Sequence, residues 1–202
     1  MAMGAGLRGG ARVETHLSFE RGNPFMSYQN KHKLRRRSGF AVAGLSYQVL
    51  EQRLGSGEWA LADQETRRLL LVLAGDAAVK RNYVFFSEVQ FIPASDLQTI
   101  DQLWRKHSNS RFGYSVQRRI WNKVNRDFTE FFKKVGWMKR LKQGEGEQEY
   151  YSYRSFPAEF VWDLGDSTPE GHLPLTNALR GTQLLATILQ HPAFHDQDQQ
   201  LL

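Results

Sequence analysis

Apolar residues recur at helical spacing through most of the chain after residue 44. Tyr47, Leu50 and Leu54 form a first stripe, with Ser46 placed to cap it and Gly55 and Gly57 placed to stop it, which predicts a helix over Leu45–Leu54. Trp59, Ala62, Thr66, Leu69, Leu70 and Leu73 share one side of a second helix over Glu58–Ala74, ended by Gly75. Asp76–Ile92 has no clean period; its Tyr83-Val84-Phe85-Phe86 fits a short strand or a buried helical turn equally well. After Pro93, Leu97, Ile100, Leu103 and Trp104 mark a third helix, with Ser95 and Gln98 at the spacing of a capping box.

Ser108–Gly113 breaks that pattern. Ser115–Lys123 is basic and amphipathic, with Val116, Ile120 and Trp121 inward, and Asp127–Val135 places Phe128, Phe131, Phe132 and Val135 on one face before Gly136, a suitable left-handed stop. Gln143–Glu149 contains only Gly, Glu and Gln and is expected to be a mobile loop. Tyr150–Trp162 is crowded with aromatics in no regular period. The last helix is expected from about Thr176 to Gln190, with Leu179, Leu184, Leu185, Ile188 and Leu189 inward and His191-Pro192 after it. These elements predict an all-α chain: one multi-helix domain over residues 45–202, with irregular aromatic segments between helices and no internal repeat. Residues 1–44 hold no lasting period and too little apolar surface to offset ordering entropy, so they are expected to be a disordered basic leader. Their Arg-rich, acid-poor composition suits an organelle transit peptide; a plain disordered tail and residues of cloning origin remain the alternatives.

Charge changes this picture little. The formal net charge of +6 over 202 residues lies wholly in the leader, and residues 45–202 are neutral. Within the domain, residues 101–142 carry +9 and residues 143–202 carry −7. Mutual compensation is the expectation, with a partner surface as the alternative. The chain has no cysteine, which excludes disulfides, thiolate metal sites and thiol nucleophiles. No apolar run approaches the ~18 residues of a membrane span, so any membrane contact is peripheral.

Catalytic motifs are missing. There is no phosphate-binding Gly-rich loop, no Gly-x-Ser-x-Gly elbow and no His-Glu-x-x-His pair. His191 and His195 are four apart, but Pro192 lies between them, so they read as surface or capping groups rather than metal ligands. No catalytic residue and no metal site is assigned. What stands out is aromatics in Gly/Pro segments, where loops lie at the surface: Phe112 and Tyr114 around Gly113, and Phe156 and Phe160 around Pro157. Such walls suit a flat apolar ligand with acidic edges, met at its rim by Arg or Asn donors. Asn177 and Arg180, three apart on the last helix, would present together; a solvated helix charge is the alternative for Arg180.

Several stretches, in order, resemble the "genomes uncoupled four" family. They are Gly57-Glu58-Trp59 with Ala62–Thr66, Asp96–Trp104, Ser108–Trp121, Val135-Gly136-Trp137, and Gly171–Pro174 followed by Asn177–Arg180. The resemblance covers about Leu45–Phe194. It implies a helical domain shaped like a cupped hand that binds protoporphyrin IX and magnesium-protoporphyrin IX. It also implies a non-catalytic protein without a covalent cofactor, which stimulates magnesium chelatase through that enzyme's large porphyrin-binding subunit. By motif, Asn177 and Arg180 would meet the propionates, Phe156 would belong to the binding loop, and Phe160, Phe112 and Trp104 would join the site. The expectation is a monomer in the chloroplast, in the stroma or associated peripherally with a membrane, with a cyanobacterial cytoplasm as the alternative. The pattern departs at Gln183, where the family has a basic residue, and at Gly165–Glu170, which holds two extra residues. A bilin- or haem-binding sensor of the same fold is the second reading. A nucleic-acid binder built on the basic block is the third, and the neutral domain and inward-facing Ile120, Trp121 and Phe131 argue against it.

Overall fold

A computed structural model of the chain describes residues 45–141, 150–175 and 182–195. Helix α1 (Gln48–Gly55) buries Leu50 and Leu54, and its first amide, at Gln48, donates to Ser46 Oγ at 3.3 Å. Gly57, at φ +70°, turns the chain into α2 (Trp59–Ala74), which buries every member of the predicted stripe. Tyr83–Phe86 is neither a strand nor a buried helical turn, with Phe85 and Phe86 exposed, and the whole of Asp76–Ile92 has no strand. It divides into α3 (Asp76–Arg81), closed by Asn82 in the left-handed region, and a 3-10 helix over Phe86–Phe91.

The third predicted helix is α4 (Ala94–His107), and its expected Ser95–Gln98 capping box does not form. Extended Pro93 holds the cap position, so Ser95 already lies within the helix. The Gln98 amide instead donates to the carbonyl of Ala193 at 3.0 Å. Helix α5 (Tyr114–Lys123) is capped from outside by α4: Asp101 accepts from the backbone N–H of Ser115 at 2.8 Å and from its hydroxyl at 2.7 Å. This cap needs Gly113, whose φ of +131° and closeness to Asp101 leave no room for a Cβ. Asp127 caps α6 (Phe128–Lys134) by accepting from the N–H of Glu130 at 3.0 Å.

Tyr150–Tyr153, expected to be irregular, is a strand. This β2 pairs antiparallel with β1 (Met138–Leu141), Met138 opposite Tyr153 and Leu141 opposite Tyr150. Alternation puts Tyr151 and Tyr153 on one face, where the Tyr153 ring meets Phe132 edge-on at 5.9 Å and Lys133 sits 4.8 Å over the Tyr151 ring. The loop expected at 143–149 lies outside the described residues. Helix α7 (Thr182–Leu189) is the second half of the predicted last helix, and it packs on α5 and on the 86–91 turn.

The core is rich in aromatics. Trp104, Trp137, Tyr114, Phe112, Phe131 and Phe194 are fully buried, and the polar edges of these two indoles are satisfied: Trp104 Nε1 donates to Thr66 Oγ1 at 2.9 Å, Trp137 Nε1 to the carbonyl of His172 at 2.8 Å. The basic and acidic blocks meet as expected, through Arg119 with Glu170 and Lys139 with Glu159. Among the described residues no helix is long and apolar enough to cross a membrane.

Candidate functional site

Most large aromatics of the described residues are inside, so those outside stand out. Phe91 is 73 % exposed, Phe156 69 %, Phe86 50 % and Phe85 45 %. These four phenylalanines lie on two turns, while the other exposed aromatics, Tyr150 and Tyr153, lie on β2.

Phe156 heads a 3-10 turn over Pro157–Glu159. Proline at the first helical position presets the backbone. The Glu159 carboxylate then folds back and accepts from the N–H groups of Ser155 at 2.6 Å and Phe156 at 3.1 Å. Its other oxygen takes the Lys139 ammonium at 2.6 Å. That ammonium and the two amides hold the Glu159 carboxyl down at about 2. Trp162 Nε1 donates to the Pro157 carbonyl at 2.7 Å, and Arg154 bridges the carbonyls of Gly136 and Glu159. Phe156 is therefore an exposed ring on a braced backbone.

Phe85 heads the second turn. Glu88 accepts from its N–H at 2.9 Å and from Arg81 at 2.7 Å, and the Arg81 guanidinium lies 4.3 Å over the Phe85 ring. Because this turn packs on α7, Phe86 and Phe91 sit on the element next to the helix that follows Asn177 and Arg180 in sequence. The sequence reading did not select these three phenylalanines. The signal was present: aromatics crowded in a stretch without a period, the argument applied to Phe156.

Phe160 is nearly buried, with its ring 6.0 Å from that of His172. His172 ties three segments together. Its Nδ1 lies 2.7 Å from the Val135 carbonyl, and its Nε2 accepts from the Val161 N–H at 3.0 Å, which puts the proton of the neutral ring on Nδ1. Burial pushes its pKa below the usual histidine value. Phe160 thus backs the Phe156 turn from the core side.

Trp104 and Phe112 are not walls of an accessible site. Both are 0 % exposed, and Trp59 covers them, stacked on Trp104 at 6.2 Å and edge-on to Phe112 at 5.6 Å. Although Phe112 lies between helices, its N–H is taken by Ser108 Oγ at 2.9 Å and the chain beyond it is pinned where Gly113 N–H donates to Leu173. Asn177 and Arg180 lie outside the described residues. The segment that carries them is entered from Leu175, whose N–H donates to the buried carboxylate of Asp63 on α2 at 2.7 Å. His191 accepts from the Ala193 N–H at 3.1 Å, a cap as expected.

The family model described as GUN4-like matches residues 41–192. The chain belongs to the GUN4-like family. The Arabidopsis thaliana "Tetrapyrrole-binding protein, chloroplastic" is 61 % identical over 152 residues, 75 % of this chain and 56 % of that protein. The "Ycf53-like protein" of Synechocystis sp. is 42 % identical over 154 residues, 76 % of this chain and 61 % of that one. The chain therefore spans less than two thirds of the length of these two relatives. Among solved structures, ligand-free Arabidopsis thaliana GUN4 superposes with a TM-score of 0.65 at 59 % identity, over 75 % of this chain and 99 % of that one. GUN4 from Chlamydomonas reinhardtii superposes with the same TM-score at 47 % identity, over 75 % and 91 %. The expected helical fold of this GUN4-like family holds, with the β1–β2 hairpin added.

Proposed function

We propose that this chain binds protoporphyrin IX and magnesium-protoporphyrin IX without catalysing a reaction on them. We further propose that it stimulates magnesium chelatase through the chelatase's large porphyrin-binding subunit in the chloroplast. The observation that carries the binding reading is Phe156, an exposed ring on a turn whose backbone is fully braced. An aromatic face left in water gains by covering a flat apolar partner, and the brace means little ordering entropy is lost when it does. Phe86 and Phe91 are further exposed apolar rings, on the turn that packs on α7. A porphyrin's propionates require cationic and amide donors. Arg180 and Asn177 supply that chemistry, and Arg180 is the one Lys or Arg after Arg154. A relative named for tetrapyrrole binding and for the chloroplast supports the ligand class and the compartment, and the chelatase role rests on the family resemblance of the sequence motifs.

A titration read by the shift of the porphyrin Soret band tests the ligand, with biliverdin, haemin and a short oligonucleotide as competitors. Saturable binding of protoporphyrin IX is the expected result. Preference for biliverdin or haemin would favour a sensor of the same fold, and binding of the oligonucleotide alone would overturn the reading. A magnesium-chelatase assay at low magnesium, with and without this protein, tests the second half; no stimulation would overturn it.

A further inference from the structure

Two turns of this chain share one device. In each, an exposed phenylalanine precedes a 3-10 helix, and its own N–H is held by the carboxylate of a glutamate three residues on: Phe85 by Glu88, Phe156 by Glu159. In each, a cation from outside the turn locks the glutamate: Arg81 of α3 on Glu88, Lys139 of β1 on Glu159. The sequences, Phe85-Phe86-Ser87-Glu88 and Phe156-Pro157-Ala158-Glu159, share only the end residues.

We propose that Glu159 is a positioning residue for the tetrapyrrole, acting by fixing the Phe156 ring, with Lys139 as its support. The inference rests on the reading of Phe156 as a ligand wall. A half-exposed Lys–Glu pair by itself contributes little, since solvent screens it and two long side chains must be ordered. The two backbone amides set Glu159 apart from such a pair. One carboxylate oxygen accepts from both Ser155 and Phe156, so the backbone entering the Phe156 Cα is fixed at two successive peptide units. Arg154 closes the same turn from its carbonyl side. Without Glu159 those amides turn to water, the residues before Pro157 sample further conformers, and a ligand must reorder them before it meets a ring face. Lys139 acts one step removed: it orients the carboxylate but touches neither amide. Loss of Lys139 is therefore expected to matter less than loss of Glu159.

The test is a double-mutant cycle on the full chain, read by Soret-band titration with protoporphyrin IX and checked by thermal melting. Phe156→Ala is expected to bind about tenfold more weakly. Glu159→Ala is expected to bind about fivefold more weakly with a small change in melting, Glu159→Gln to keep most of the affinity because an amide oxygen still accepts, and Lys139→Met to lose less than Glu159→Ala. The double variant Phe156→Ala/Glu159→Ala is expected to bind no worse than Phe156→Ala alone, since a positioning residue has nothing left to position. Wild-type affinity in Glu159→Ala, or a loss that adds in full to that of Phe156→Ala, would overturn the inference while leaving the binding reading intact. If Glu159→Ala does not fold, Lys139→Met takes its place in the same cycle, with the same outcomes deciding. Unchanged affinity in Phe156→Ala itself removes the ligand role of Phe156 and this inference with it, a distinct pattern.

Discussion

Asp63 and Leu175, 112 positions apart, are joined by a 2.7 Å hydrogen bond from the Leu175 backbone to a buried carboxylate. Burial pushes the Asp63 carboxyl up to about 6; the Leu175 amide and the nearby Arg67 guanidinium pull the other way without prevailing. The folded-state value lies above the unfolded one, so between about pH 4 and 6 the folded protein holds this proton and the unfolded chain has lost it. Raising the pH through that window therefore removes stability, and above it the loss is complete. Asp63→Asn keeps an acceptor for Leu175 and does not titrate. Denaturant unfolding at pH 4, 5, 6 and 7 is expected to show wild type falling relative to Asp63→Asn by up to about 3 kcal/mol across the window. Parallel curves for the two proteins would show that Asp63 keeps an ordinary carboxylate value.

Phe156→Ala is expected to weaken protoporphyrin IX binding by roughly 1–3 kcal/mol and to leave the melting temperature nearly unchanged. The ring is already 69 % exposed, so little burial is lost in the free protein. A large drop in melting temperature at unchanged affinity would mean that the ring is needed by the fold instead.

Phe112→Ala is expected to do the reverse. The ring is fully enclosed, with Trp59 and Trp104 as neighbours, and its removal opens a cavity costing about 3–5 kcal/mol of stability. Porphyrin affinity of the folded fraction, measured at low temperature, is expected to stay within about threefold of wild type. A stable variant with strongly reduced binding would place Phe112 at the ligand after all.

Arg180→Ala is expected to weaken binding of porphyrins with free propionates by roughly 1–3 kcal/mol and to leave porphyrin esters nearly unaffected. Arg180→Lys is expected to recover part of the loss, because a point charge lacks the planar fork. Titrations with acid and ester forms decide: equal losses for both would give Arg180 a structural role, and no loss for either would make it a solvated helix charge.

The helices were legible where one stripe dominated. Along α2, α4 and α6 the apolar residues at helical spacing are buried in the core or, for Leu103 and Phe128, half-buried against it, because local period and tertiary burial demand the same residues there. Reading failed where a distant partner decided. Gln98 looks like half of a capping box until Ala193, from the far end of the domain, supplies a better acceptor. Phe112 looks like a surface aromatic until Trp59 covers it. Tyr150–Tyr153 has the composition of a strand, but only its partner β1 makes it one. Phe156 was singled out by its setting beside Pro157, and the structure leaves its ring exposed. The bracing Glu159 was not singled out, since nothing near it in sequence announces the Lys139 that locks it.

The ion pairs that join Arg119 to Glu170 and Lys139 to Glu159 bear on how anything finds this domain. Opposite charges held in contact cancel at a distance, and physiological salt screens what remains beyond about 8 Å. Residues 45–202 sum to zero formal charge, and at these two contacts the basic and acidic stretches meet. The association rate of an anionic ligand is expected to depend only weakly on ionic strength.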